Sequence, residues 1–349
     1  MLSAIDPKVK EKISELTEAQ KAKMPEYVKK WIAIGNDTAR LNYDRTLDIV
    51  NNVQEHILNK PRTPVIIFNN PVEAWIACNY ATHGHKINEL KQCVEDFFSG
   101  KKPEWKVSPY VSPYLNGSFS AQTFAFYDFF KYELGIVFEA NGAGAEAAKN
   151  EHTTLSVDEL YEIWKSTTEL GLIYPIHGVT GTVQDMCIVS EKPTTVKLNE
   201  DGVIHSESGP AIAYAGHGDM KIFALHGVIV PEWLAVTPSS KIAVERMHEI
   251  KNADVKAEFV RKIGVERLCS MGTILDSHTN YSDEWWTKSE YELLDMQSLF
   301  EGVDYAPHLR MLNQTTKIWH VEAVSPSCKT IGDALKDRYG REVKIIGIA

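Results

Sequence analysis

The chain has 349 residues and a formal net charge of −10 at pH 7, with Lys+Arg 37 against Asp+Glu 47. A hydrophobic content of 44% beside a charged content of 24% is too apolar for intrinsic disorder, and 21 Gly with 15 Pro exclude a collagen-like chain. An acidic chain repels a phosphate backbone unless its cations gather in one patch, which argues against non-specific nucleic-acid coating.

Residues Met1 to Lys30 alternate Lys and Glu over a helical pattern and lack the apolar core of a signal peptide. Helical periodicity continues to Asn59, broken at Asn36-Asp37. The apolar run Val65-Ile66-Ile67-Phe68 predicts a buried strand feeding a helix that begins at Pro71. That run, like every other apolar run in the chain, is far short of the roughly 20 residues a membrane span needs. A further helix is expected from about Asn88 to Phe98, after the His83-Gly84-His85 turn. The aromatic-dense window Ser120 to Leu134 reads as a core helix, and Gly142 to Asn150 as a loop. Ser156, with Glu159 three residues on, predicts a capping box for a helix that stops at Gly171.

From Leu172 to Val230 the texture is β: Met186–Ser190, Thr194–Leu198, Ala211–Tyr214, Lys221–Leu225 and Val228–Val230, separated by Asn199-Glu200-Asp201-Gly202 and Gly216-His217-Gly218-Asp219. This pattern predicts one antiparallel meander. Helices follow over Ile242–Ile250 and Ala253–Gly264, then a strand over Ile318–Val324 and a helix over Thr330–Tyr339. The order of elements predicts an α+β fold. It is read as one continuous unit over 1–349: 1–135 mainly helical, 136–155 loop or linker, 156–240 helix plus meander, 241–349 mixed α/β. Five scattered cysteines without a C-x-x-C pair fit reduced thiols, so a soluble cytoplasmic protein is expected.

The segment Asp201-Gly202-Val203-Ile204-His205-Ser206-Glu207-Ser208-Gly209-Pro210-Ala211-Ile212-Ala213-Tyr214, continuing to His226-Gly227-Val228-Ile229-Val230-Pro231-Glu232-Trp233, resembles the signature of an uncharacterised domain family of bacterial genomes and phages. Tyr127-Asp128-Phe129-Phe130, Val189-Ser190-Glu191-Lys192-Pro193 and Ala253 to Leu268 resemble it as well. The resemblance implies a fold family and a prokaryotic or viral setting, and it supplies no catalytic residues.

Four constellations bear on chemistry. The first is His205, Glu207, His217, Asp219 and His226 in the predicted meander, with His177 as a further member because Tyr174 to Val179 echoes Phe223 to Val228. Two residues apart on a strand, His205 and Glu207 share a face, and a carboxylate that orients an imidazole is the basic unit of acid/base catalysis. The same residues also suit turns, where His and Glu satisfy loop backbone groups. The second is Cys78, His83, His85 and Cys93, four ligand types for a tetrahedral zinc, although buried Cys78 and Cys93 would equally serve a helix core. The third is Gly142-Ala143-Gly144-Ala145-Glu146-Ala147, a G-x-G-x-x-A string without the βαβ context of a dinucleotide site, read as a linker with no cofactor. The fourth is Trp285-Trp286 with Tyr281, Tyr291 and Trp319, an aromatic set in acidic surroundings that suits packing better than base stacking.

The sequence therefore supports an acid/base enzyme acting on a small or nucleotide-like substrate through His205, Glu207 and His226. A non-catalytic interaction module is the alternative. Nucleic-acid binding requires that Lys21, Lys23, Lys29 and Lys30, or Lys251, Lys256, Arg261, Lys262 and Arg267, gather on one face.

Overall fold

A computed structural model describes residues 5–8, 15–108, 111–140, 155–178, 183–282, 287–300, 302–313 and 316–340. The chain is α+β and divides into two compact units: Met1–Ile204 with Pro210–Ile222, and His205–Gly209 with Phe223–Ala349. The reading of 1–349 as one continuous unit does not contain this division. The Gly142–Ala147 string and the Trp285-Trp286 pair lie outside the described residues. No helix of the described residues is long and apolar enough to cross a membrane.

In the first unit β1 (Ile5–Lys8) pairs with a later strand, and α1 (Glu18–Gly35) and α2 (Tyr43–His56) start at Thr17 and Asn42, whose side chains cap them. β2 (Val65–Phe68) leads into α3 (Pro71–Thr82), followed by α4 (Leu90–Phe98) and α5 (Ala121–Tyr132). Next come β3 (Val137–Ala140), antiparallel to β1, and α6 (Val157–Ser166), which carries the predicted Ser156/Glu159 capping box. β4 (Ile173–Ile176) and β5 (Met186–Ser190) complete a sheet of order β2-β5-β4, in which β2 and β5 run parallel.

Alternation along this sheet assigns its two faces. Val65, Ile173, Cys187 and Val189 pack with Trp31, Ile49, Phe124 and Leu160 from α1, α2, α5 and α6. Phe68, Tyr174, Met186 and Ile188 pack with Ile76, Ala77 and Leu90 from α3 and α4. A strand buried on both faces reads as a continuous apolar run, as β5 does.

Asp128 on α5 is fully buried, and it accepts from Trp31 Nε1 (3.1 Å), Tyr161 OH (2.7 Å) and Lys30 Nζ (2.8 Å). Burial, and then the Asp128 hydrogen bond, push the Tyr161 phenol up, so it stays a neutral donor. α5 is only half a core helix: Phe124 and Phe129 are buried, whereas Phe126 and Tyr132 are exposed.

The expected meander is two sheets. β6 (Thr195–Val196), β7 (Ile212–Ala213) and β8 (Lys221–Ile222) form a three-stranded sheet in the first unit, and β9 (Ala224–Leu225) and β10 (Val228–Ile229) form a separate hairpin in the second. Phe223 interrupts the predicted Lys221–Leu225 strand, and pairing changes there.

The second unit continues with α7 (Glu232–Val236), α8 (Ala253–Ile263) and α9 (Val265–Cys269). Ile242–Ile250 is a shorter 3-10 segment, Val244–Glu249. A four-stranded antiparallel sheet follows: β11 (Thr273–Ser282), β12 (Thr287–Asp295), β13 (Pro307–Leu312) and β14 (Trp319–Ala323). Leu293 and Leu309 face α10 (Ile331–Tyr339), which Thr330 caps, and Leu294 faces the α8 side.

Candidate functional site

The site grows out of the β9–β10 hairpin. Its register, Leu225 opposite Val228, leaves a two-residue turn of His226 and Gly227 with φ of 46° and 87°. Positive φ at both central positions is the turn that matches strand twist, and His is among the few non-glycine residues that tolerate it.

This backbone presents the His226 ring to α8. Asn252 caps that helix, and its buried stripe Val255, Phe259 and Ile263 holds it in place. Glu258, beside this stripe, has a 5% exposed side chain; one carboxylate oxygen lies 2.8 Å from His226 Nδ1 and the other accepts from Arg261 Nη1 at 2.7 Å.

The second imidazole is anchored by backbone. Ser206 N–H donates to Ala224 O, which lays residues 205–207 beside β9, and the His226 N–H donates to His205 Nδ1 at 3.1 Å. The two rings are 4.4 Å apart, centroid to centroid. These bonds fix complementary tautomers. Facing a carboxylate, His226 Nδ1 carries the proton and leaves Nε2 as a free lone pair; His205 Nδ1 accepts an N–H, so its proton sits on Nε2. An imidazole lone pair and an N–H donor therefore stand side by side, and the His226 side chain is 39% exposed.

Of the predicted site residues, His205, His226 and Glu207 come together, but Glu207 is not the orienting carboxylate. It lies 3.8 Å from His205 Nε2 and 3.4 Å from the buried Lys262 Nζ, which also donates to Ala235 O. His205 and Glu207 do not share a strand face, because residues 205–209 form no strand. Glu258 takes the orienting role. In the sequence Glu258 stands among the mixed charges Asp254, Lys256, Arg261, Lys262 and Glu266, a pattern that reads as a solvated helix face. The signal was its place next to Phe259 in the apolar stripe, with Arg261 three residues on.

His217 and Asp219 serve the turn instead. The His217 N–H donates to buried Glu73 at 2.6 Å, its ring stacks on Phe98 and meets Glu95 at 2.9 Å, and Asp219 pairs with Lys221 at 2.6 Å. Neither nitrogen of His177 has a partner among the described residues, and burial pushes its pKa down.

The four zinc candidates do not converge. Cys78 is wholly buried in the α3 core, where burial pushes its thiol far up. His83 stacks on Trp105 at 3.7 Å and bonds Asn79 O. Only Cys93 and His85 meet, at 3.6 Å, and no group of three ligands exists among the described residues. Tyr291 packs in the core and Trp319 carries the Arg310 guanidinium at 4.2 Å.

No family model matches the chain, and no curated protein or solved structure matches it either.

Proposed function

We propose that the protein is an acid/base enzyme of the reducing cytoplasm, acting on a small or nucleotide-like substrate with a carbonyl or phosphoryl centre. His226 Nε2 accepts the proton, and His205 Nε2–H donates a hydrogen bond to the oxygen on which charge develops. A neutral imidazole is suited to that second role, and His226 returns its proton later in the cycle. Glu258 positions His226. The observation that carries this reading is the 2.8 Å bond from His226 Nδ1 to a buried carboxylate, which leaves Nε2 bare.

Five free cysteines, four of them buried, support a reducing compartment, and the hairpin resemblance supports a bacterial or phage setting. The test is a panel of enolisable carbonyl compounds, esters and nucleotides turned over by the wild type, His226→Asn and His205→Gln. Asn keeps the positive-φ turn without an imidazole. Turnover falls about 100-fold or more in His226→Asn and about 10-fold in His205→Gln, with melting temperature unchanged. Equal rates in His226→Asn, or a panel that is never turned over, overturn the reading.

One observation favours a second reading, the interaction module. A cleft of about 380 Å³ between α1 and α5 is walled by apolar side chains, with Val28, Ile32, Phe119 and Phe126 exposed. A cellular role abolished by Phe126→Asp and untouched by His226→Asn would select it. Nucleic-acid binding has less support. Lys21, Lys23 and Lys30 pair with Glu18, Glu133 and Asp128; Arg261 and Lys262 pair with Glu258 and Glu207; and Arg267 donates to the Ser239 and Ile242 carbonyls.

A further inference from the structure

The cleft between α1 and α5 in the first unit has polar chemistry as well as apolar walls. The two helices run antiparallel. Near the start of α1, Lys23 Nζ and Tyr27 OH donate to the two oxygens of Glu133, just past α5, at 2.6 and 2.9 Å. At the other end a Cβ on Gly35 would lie 3.1 Å from Ala121 Cβ, so the helices close on each other there. From Met24 to Gly35 the cleft follows α1 for about 16 Å, at a rise of ~1.5 Å per residue. A volume of about 380 Å³ drawn out over that length makes a slot, and it lies within the range of small-molecule sites.

Buried Trp31 and Phe129 line the slot, and none of the described residues lining it is charged. Its Gly35 end is nevertheless polar. Ser118 lines the slot and is only 3% exposed, yet among the described residues its hydroxyl has no hydrogen-bond partner. The Ser118 carbonyl oxygen would be 3.6 Å from a Cβ on Gly35, which sets this residue beside the end of α1. Asn36 caps that end and also lines the slot. Its Nδ2 donates to Ile32 O at 2.9 Å, while its Oδ1 accepts no hydrogen bond among the described residues. A buried hydroxyl without a partner is costly, and a ligand that supplies one recovers that cost on binding.

We propose that this slot binds a long-chain primary alcohol, its aliphatic chain along Trp31 and Phe129 and its hydroxyl between Ser118 and Asn36. The Ser118 hydroxyl donates to the alcohol oxygen, and the alcohol O–H donates to Asn36 Oδ1, so both protein groups gain a partner. A carboxylate head has no proton for Asn36 Oδ1 and finds no cation in the slot. It also meets the negative end of the α1 dipole. An alkane leaves both groups unpaired. The chain takes apolar surface of Val28, Ile32 and Phe126, exposed around the slot, out of water. This binding does not depend on the histidine pair, which belongs to the other unit.

Isothermal titration of the full-length protein with 1-decanol, against 1-octanol and decanoate, tests the assignment. 1-Decanol binds saturably at one site and about 10-fold or more tighter than 1-octanol, since each buried methylene contributes about 4-fold. It also binds about 10-fold tighter than decanoate. Ser118→Ala weakens 1-decanol about 3-fold or more and leaves decanoate unchanged. Ala125→Phe on the wall and Val28→Trp on the exposed rim fill the slot, and each abolishes binding with the melting temperature maintained. Absence of saturable heat in the wild type overturns the site, as does full-strength binding in both filled variants. Equal affinity for 1-decanol and 1-octanol overturns burial of the chain, and decanoate binding as tight as 1-decanol overturns the hydroxyl assignment. A dimer in sedimentation that Phe126→Asp dissociates and 1-decanol does not gives the slot to a second copy of this chain and overturns the ligand.

Discussion

Single residues carry most of the functional argument, and Glu258 is the most exposed to test. Removing its charge in Glu258→Gln leaves Arg261 without its buried partner and lets His226 choose either tautomer. Turnover is expected to drop at least about 10-fold while KM moves less, since the lost interaction orients the base rather than binding substrate. His177 makes a different prediction. Burial, the dominant influence, lowers its pKa below the ordinary value near 6.5, with Lys60 adding to the shift and Asp185 opposing it. The unfolded chain then binds this proton more readily than the folded one. The stability contributed by neutral His177 is complete above about pH 6.5 and is lost as pH falls through the window down to the lowered folded value. Urea midpoints between pH 7 and 5 should decline more steeply in the wild type than in His177→Leu, and parallel curves would refute this.

At the scale of elements, the Gly216–Asp219 turn shows how polar residues with catalytic credentials become structural. The amide of Asn70, the cap of α3, donates to the Ala215 and His217 carbonyls at 2.8 Å each, and Glu73 in the first turn of α3 accepts the His217 N–H. Gly216 has φ of 85°, and a Cβ there would sit 2.1 Å from Glu73 Oε1. Gly216→Ala is therefore expected to cost about 3 kcal/mol, and Asn70→Ala about 2 kcal/mol, in denaturant unfolding.

These elements also mark what sequence reasoning reaches. Caps and apolar runs were legible because they are local: Ser156/Glu159, Pro71 and Met186–Ser190 stand where their chemistry puts them. The parallel pairing of β2 with β5 was not, because registry between distant segments leaves no local trace. The β11–β12 hairpin was missed for a related reason: Asp276, His278 and Asn280 interrupt the strand pattern, and cross-strand pairing overrides their weak propensity. In the candidate site, His205 and His226 were legible from their turn-flanked positions. Glu258 was not, since its partner is 32 positions away in sequence.

For the whole molecule, the thiol inventory offers a direct check on the fold. Cys78, Cys187, Cys269 and Cys328 are buried and only Cys93 is partly open, all five being free. Burial pushes every one of these thiols up, which slows the native reaction further. Titration with Ellman's reagent should count one slow thiol in the native protein and five after denaturation. More than one rapidly reacting native thiol would contradict the packing described for these residues. The acidic balance of −10 acts at the same scale, and many of the cations that might have offset it locally are engaged by carboxylates.

Two neighbouring histidines held in opposite tautomers are what the proposed chemistry requires. Long-range 1H–15N correlation of the imidazole rings above neutral pH measures this directly. His226 is expected as the Nδ1–H form and His205 as the Nε2–H form, with His226 alone losing its single-tautomer signature in Glu258→Gln. A His226 ring found as Nε2–H in the wild type, or a spectrum unchanged by Glu258→Gln, would contradict it.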